Sequence, residues 1–221
     1  MKKEILLSFF IAVSATSFAQ VKPSFGVSAG ITYSGMRGDA VNNLNNLLDF
    51  SAGMIKTGSS TGFFGGVYAS IPMDETIVLE PGLYYSQKGY ELIGALNLKG
   101  LDFLGVNAKA KLTSTYIDIP ILLKANLGGF QVFAGPQVSY LSSAKLKMTA
   151  GILGINLLNS SRDATAQFNR WDMAVTGGIG YKFNNGMNVK ASYDYGLSKV
   201  DANQNLKSYN QAFKIGIGMN F

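Results

Sequence analysis

The end of the chain alternates without a fault: Phe213, Ile215, Ile217, Met219 and Phe221 are apolar, and Lys214, Gly216, Gly218 and Asn220 between them are polar or small. A period of two sends successive side chains to opposite faces of a strand, so one face here is continuously apolar and the other is not. Beyond the N-terminal region no apolar run approaches the roughly 18 residues that a membrane helix needs, so any passage through a bilayer must use strands. The same alternation marks seven further segments, at Ser24–Tyr33, Gly62–Ile71, Thr76–Lys88, Tyr116–Leu127, Phe130–Leu141, Trp171–Phe183 and Met187–Leu197. Eight segments of about 10 residues match the number and length of strands in a small transmembrane barrel.

The connections alternate as well. Pro72–Glu75, Gly128-Gly129 and Asn184-Asn185-Gly186 are tight, and Asn-Gly is a strong hairpin signal. Ser34–Thr61, Gly89–Thr115, Ser142–Arg170 and Ser198–Ala212 are long. Strands running up and down in order would place every short turn on the periplasmic side and every long loop outside. The expected fold is therefore all-β, an eight-stranded antiparallel up-and-down transmembrane barrel with short periplasmic turns and long extracellular loops.

Lys2 and Lys3, the apolar run Ile5–Val13 and the small-x-small triplet Ser17-Phe18-Ala19 read as a signal peptide over residues 1–19, leaving 20–221 as the barrel domain. Without that leader the formal charge moves from +6 to +5. The excess is scattered rather than gathered into a stripe, which argues against nucleic acid as a partner. With no Cys, the chain uses neither disulfides nor thiol chemistry.

Face assignment follows from charge. The face with Phe25, Val27, Ala29, Ile31 and Tyr33, continued by Ile117, Ile119, Ile121, Leu123 and Ala125, carries no Asp, Glu, Lys or Arg in any of the strands. A Lys or Arg at the bilayer midplane of a barrel costs about 2–4 kcal/mol, so this face is assigned to lipid. Its aromatics, including Tyr33, Phe63, Tyr85, Tyr140, Trp171, Tyr181, Phe183, Tyr193, Tyr195, Phe213 and Phe221, lie toward strand ends, as interfacial girdles require. The inverse arrangement, a soluble barrel with the apolar face inward, would expose a surface of Gly and Ser with few charges.

The opposite face holds Gly26, Gly30, Gly66, Gly82, Gly135, Gly178, Gly180, Gly216 and Gly218, with charged residues of nearly balanced sign among them. Glu80, Asp118, Asp172 and Asp194 stand against Lys88, Lys124, Lys182, Lys190 and Lys214. Buried charges need partners, so a structural or pore-lining lumen network of ion pairs is expected from Glu80, Asp118, Lys124, Asp172, Lys182, Lys190, Asp194 and Lys214. Pro81, Pro120 and Pro136 fall inside strands and are expected at bulges or strained ladder positions.

Three segments, Leu79-Glu80-Pro81-Gly82-Leu83-Tyr84-Tyr85-Ser86-Gln87-Lys88-Gly89, Tyr116-Ile117-Asp118-Ile119-Pro120-Ile121-Leu122-Leu123-Lys124 and Phe133-Ala134-Gly135-Pro136, resemble the porin-like, PorT-type outer-membrane barrels of Bacteroidota. The resemblance spans essentially the mature chain and implies the cell outer membrane, with outer-membrane lipid as surroundings. Some relatives of that type take part in protein secretion, but the motifs diagnose a barrel and not an activity.

Chemistry is sparse. The absence of His removes the usual general base and the commonest transition-metal ligand. A Ser-Lys arrangement is conceivable at Ser192 with Lys190 or Lys214, although lumen Ser and Lys suit a structural network as well. Thr176-Gly177-Gly178-Ile179-Gly180 and Gly216-Ile217-Gly218 lie inside strands and open no helix, so they lack the context of a phosphate loop. No catalytic residue, cofactor or metal is expected. In the loops, Val41, Leu44, Leu47 and Leu48 have helical spacing, while Leu92–Leu112 and Leu146–Leu158 are too apolar for purely solvated chain. The latter two are expected to extend the strands or form a plug, or to offer a binding surface. Function then reduces to a filled barrel displaying loops for adhesion or for an extracellular or envelope protein partner, a narrow channel for small solutes, or a component of a secretion or envelope assembly system.

Overall fold

A computed structural model describes residues 22–38, 55–96, 106–152, 155–203 and 207–221. The expected signal peptide and the helical spacing from Val41 to Leu48 lie outside these residues. Nine strands are present among them: β1 (Ser24–Arg37), β2 (Ile55–Pro72), β3 (Ile77–Leu96), β4 (Val106–Leu127), β5 (Phe130–Ile152), β6 (Ile155–Asp163), β7 (Trp171–Lys182), β8 (Met187–Lys199) and β9 (Tyr209–Asn220). All pairings are antiparallel, and β1 pairs with both β2 and β9. With β4 on β5 and β5 on β7, eight strands close into a ring in the order β1-β2-β3-β4-β5-β7-β8-β9. Closure removes the sheet edges, whose unpaired backbone groups could find no partner in hydrocarbon.

The additional strand β6 departs from the expected pattern, and so does strand length. The lower half of β5, Phe130–Tyr140, pairs with β7, whereas its upper part, Lys145–Ile152, pairs with β6 in an added hairpin. The segments Leu92–Leu112 and Leu146–Leu158 are strand wherever they are described. Alternation breaks just above the membrane, where Thr113, Ser114 and Thr115 are all polar; beyond them it resumes with lysine on the outward face, as in Lys109-Ala110-Lys111-Leu112, while the backbone ladder continues.

The short turns have local causes. Leu127 and Phe130 are paired across Gly128 (φ 61°) and Gly129 (φ 96°), the two positive φ values of a type I′ hairpin. At the β2–β3 turn the Asp74 carboxylate accepts the N–H groups of Thr76 (2.7 Å) and Ile77 (2.6 Å). These bonds, from Ile77 foremost and then Thr76, hold its carboxyl below the ordinary carboxylate range.

Apolar side chains point outward: Phe25, Ile31, Ile119, Leu123, Ile179 and Ile217 are all exposed. This is the arrangement of a membrane barrel and the reverse of a soluble one. Tyr140 and Trp171 meet edge to face at 5.1 Å near the extracellular rim, and Tyr181 and Phe183 do so at 5.0 Å near the periplasmic one. Phe130 and Tyr140 mark the two levels on β5. The ten-residue rise between them, at about 3.3 Å per residue and a tilt of about 40°, spans about 25 Å, the height of an outer-membrane apolar band.

The three prolines do not form bulges. Across Pro81 the β2–β3 pairing skips from Tyr68–Gly82 to Ile71–Leu79 without changing register. The β3–β4 and β4–β5 ladders likewise skip near Pro120 and Pro136 and resume in the same register. A missing N–H interrupts a ladder but adds no residue, so register survives. The actual register shifts, at Ser59/Phe64, Thr115/Tyr116, Ala150/Gly151 and Tyr195/Lys199, lie toward the extracellular ends of the strands.

Candidate functional site

The inner face of the ring gathers most of the charged residues singled out in the sequence. Toward the periplasmic end Glu80 on β3 is ion-paired with Lys124 on the neighbouring β4 and with Lys190 on β8, the latter at 2.7 Å. The Lys190 ammonium also lies 4.1 Å from the ring centre of Tyr68. Tyr68 donates to Asn220 Oδ1 (2.7 Å) and accepts from Asn188 Nδ2 (2.9 Å), tying β2 to β9 and β8.

Nearer the middle, Asp118 on β4 is fully buried and takes Lys88 Nζ on Oδ1 (3.2 Å) and Lys214 Nζ on Oδ2 (3.1 Å). Ser86 Oγ donates to the same Oδ2 at 2.6 Å. Lys214 reaches on to Asp194 (2.7 Å), whose Oδ1 accepts from Thr176 Oγ1 (2.9 Å). Above these, Asn210 Nδ2 donates to Asp172 Oδ2 (2.8 Å) and to the Tyr116 hydroxyl (3.1 Å). Four buried carboxylates, Glu80, Asp118, Asp172 and Asp194, thus share the lumen with the ammoniums of Lys88, Lys124, Lys190 and Lys214, and the formal charges cancel. Cancellation matters because an unpaired charge in this interior would cost several kcal/mol in lost hydration.

Lys182 does not join them. It is the last residue of β7, exposed at the periplasmic end beside the turn, where its ammonium meets water. Lys88 belongs among the network residues instead. Strand parity alone could not distinguish the two, because both lie on the inner face and only depth separates them.

The inner aromatics carry no charge signal and are easily overlooked. Phe64, Tyr68, Tyr84, Tyr116 and Phe133 point into the lumen, and all but Tyr116 lie over its glycines. A Cβ on Gly178 would stand 2.6 Å from Phe133 Cζ, and one on Gly216 would stand 2.6 Å from Phe64 Cζ. The adjacent pairs Phe63-Phe64 and Tyr84-Tyr85 were the available clue, since alternation must send one ring to each face.

The lumen keeps a cavity of about 60 Å³ bordered by Glu80, Tyr84, Leu122, Phe133, Asp194 and Lys214. It has room for a few water molecules. The pairing Ser192–Lys214 does bring a hydroxyl residue opposite a lysine, but Lys214 Nζ is directed to Asp118 and Asp194, and Lys190 Nζ to Glu80. Among the described residues no three His, Cys, Asp or Glu side chains converge as metal ligands would.

Over residues 18–202 the sequence matches the family described as outer membrane protein beta-barrel domain. The chain belongs to this family. As an outer membrane barrel it lies in the cell outer membrane, and its apolar face is its lipid contact. Solved structures similar to it include Ail, the attachment invasion locus protein of Yersinia pestis, solved in complex with the heparin analogue sucrose octasulfate. That pair is 13% identical with a TM-score of 0.44, covering 90% of this chain and 99% of Ail. Neisserial surface protein A is 14% identical with a TM-score of 0.42 over the same shares, 90% and 99%. The translocator domain of the autotransporter NalP from Neisseria meningitidis is 12% identical with a TM-score of 0.26, covering 100% of this chain and 96% of that one. No curated protein matches the chain.

Proposed function

We propose that this outer membrane barrel is a closed, non-catalytic scaffold that holds its extracellular strands and loops in place for adhesion or for an extracellular or envelope protein partner. The observation that carries this reading is the pair of ion pairs that cross the full width of the lumen. Glu80 on β3 meets Lys190 on β8, and Asp118 on β4 meets Lys214 on β9, each joining strands four places apart in a ring of eight. With the aromatic rings between them they occupy the path a solute would take. An eight-stranded barrel is in any case just wide enough to be filled by its own side chains. Glu80, Asp118, Asp172, Asp194, Lys124, Lys190 and Lys214 then serve as structural crosslinks rather than as the lining of a pore.

Above the rim, β3 to β6 continue as paired strands, a rigid base for recognition at their tips. The segments around Glu80-Pro81-Gly82, Asp118-Ile119-Pro120 and Gly135-Pro136 support the finer assignment to PorT-type relatives of Bacteroidota. Single-channel recording in planar bilayers tests the closed lumen. The expected record is silent at potentials where porins conduct, and stable openings of porin size would overturn the reading.

A further inference from the structure

Where β4 and β5 leave the membrane, the outward face changes from apolar to basic. Within the bilayer it carries Ile117, Ile119, Val138 and Tyr140. Above the register shift at Thr115/Tyr116 the same face carries Lys109 and Lys111 on β4 and Lys145 and Lys147 on β5. Lys109, Lys145 and Lys147 are exposed and Lys111 is partly so. Lys111 and Lys147 are direct cross-strand partners. Like charges placed opposite one another destabilise a sheet, so the pairing needs an external reason.

Among the described residues, local acids offset this charge only in part. Glu91, the cross-strand neighbour of Lys111, is ion-paired with Lys109 at 2.6 Å, and Asp163 stands in register with Lys145 and accepts the backbone N–H of Thr165 at 2.9 Å. Neither Lys111 nor Lys147 is ion-paired with a carboxylate of the described residues. Arg170, anchored by Nη1 on the carbonyls of Leu141 (3.0 Å) and Ser142 (3.3 Å), adds a further cation immediately above the Tyr140–Trp171 pair. Among the described residues of this face, five cations therefore stand against two carboxylates.

We infer that this basic face of β4 and β5 binds the phosphorylated headgroups of the outer leaflet. Two features select that occupant. The patch is continuous with the lipid-facing band on the same strands, and it begins roughly 10–15 Å above the girdle at about 3.3 Å per residue and the usual tilt. Lysine stems directed back down the strand shorten that distance toward the headgroup layer while their ammoniums stay hydrated. Phosphate placed between Lys111 and Lys147 also converts a repulsive pair into a chelating one.

The single tryptophan, Trp171, stands beside the patch and reports on it directly. The protein is folded into phosphatidylcholine vesicles containing brominated-chain phosphatidic acid, and in parallel into vesicles with brominated-chain phosphatidylcholine as the brominated lipid. Stronger Trp171 quenching by the phosphatidic acid is expected, corresponding to a preference of roughly five-fold for each lysine engaged, and falling as salt rises. The combined variant Lys111→Gln, Lys145→Gln, Lys147→Gln should lose that preference, and Lys-to-Arg replacements at the same positions should retain it. Heat-modified gel mobility confirms that each variant is folded. Equal quenching by the two lipids in the wild type, or a preference that survives the glutamine variant, would overturn the inference.

Discussion

Asp118 and Lys214 face one another across the full bore of the barrel, 3.1 Å apart, from strands β4 and β9 on opposite sides of the ring. Nothing local in the chain relates them, since 96 residues separate the two. Their contact makes the lumen a folded core of polar character: side chains from opposite walls meet in the middle, as they would in the interior of a soluble domain.

Asp118→Asn leaves the ammoniums of Lys88 and Lys214 beside a neutral amide, and Lys88 has no other ion pair among the described residues. Removing one member of a buried ionic cluster costs on the order of 3–5 kcal/mol. Urea unfolding in lipid vesicles should show a loss of that order, whereas a loss within about 1 kcal/mol would mean that the cluster is hydrated and open.

Val175 and Thr176 are adjacent on β7 and face opposite media, with exposures of 46% and 4%. Facing the lumen spares Thr176 contact with hydrocarbon but leaves no room for arginine, because Thr176 hydrogen-bonds Gln137 (3.3 Å) and Asp194 (2.9 Å) in a filled interior. Both arginine variants should fold poorly into vesicles, Val175→Arg by about 2–4 kcal/mol through its lipid contact. Thr176→Ser, which keeps the hydroxyl, should fold like the wild type.

Gly177 and Gly178 form a second adjacent pair with opposite expectations. A Cβ at Gly177 meets nothing nearer than Phe133 O at 4.0 Å, while one at Gly178 would meet Ala191 O at 2.4 Å and Phe133 Cζ at 2.6 Å. Gly177→Ala should therefore be near neutral and Gly178→Ala destabilising by about 1–3 kcal/mol, the usual cost of overpacking. Folding yields compared by heat-modified gel mobility would reveal the contrast.

Asp74 provides a pH-dependent prediction outside the membrane. Its carboxyl is held low by the N–H groups of Ile77 and Thr76. A carboxyl depressed on folding contributes stability above its unfolded-state pKa, and the contribution disappears as pH falls through the lower folded-state value. The stability difference between wild type and Asp74→Ala should therefore be present at neutral pH and shrink on acidification below the ordinary carboxylate range. A difference that stays constant with pH would show that the carboxylate is not the source.

The sequence by itself determined everything that depends on a two-residue period and on the cost of charge in hydrocarbon. Ile215, Ile217 and Met219 identify a lipid face because each stands beside Lys214, Gly216 or Gly218, and tight turns such as Gly128-Gly129 set strand order and direction. The inward direction of Glu80, Asp118 and Lys214 was legible on the same ground. Depth and partnership were not. Tertiary structure alone placed Lys182 in water and Lys88 on Asp118, joined Glu80 to Lys190 across 110 residues, and turned the chain after β5 into a further strand. The physical reason is that alternation records which side of the sheet a residue occupies. How far along the bore it lies, and what stands opposite, follow from the register and closure of all eight strands together.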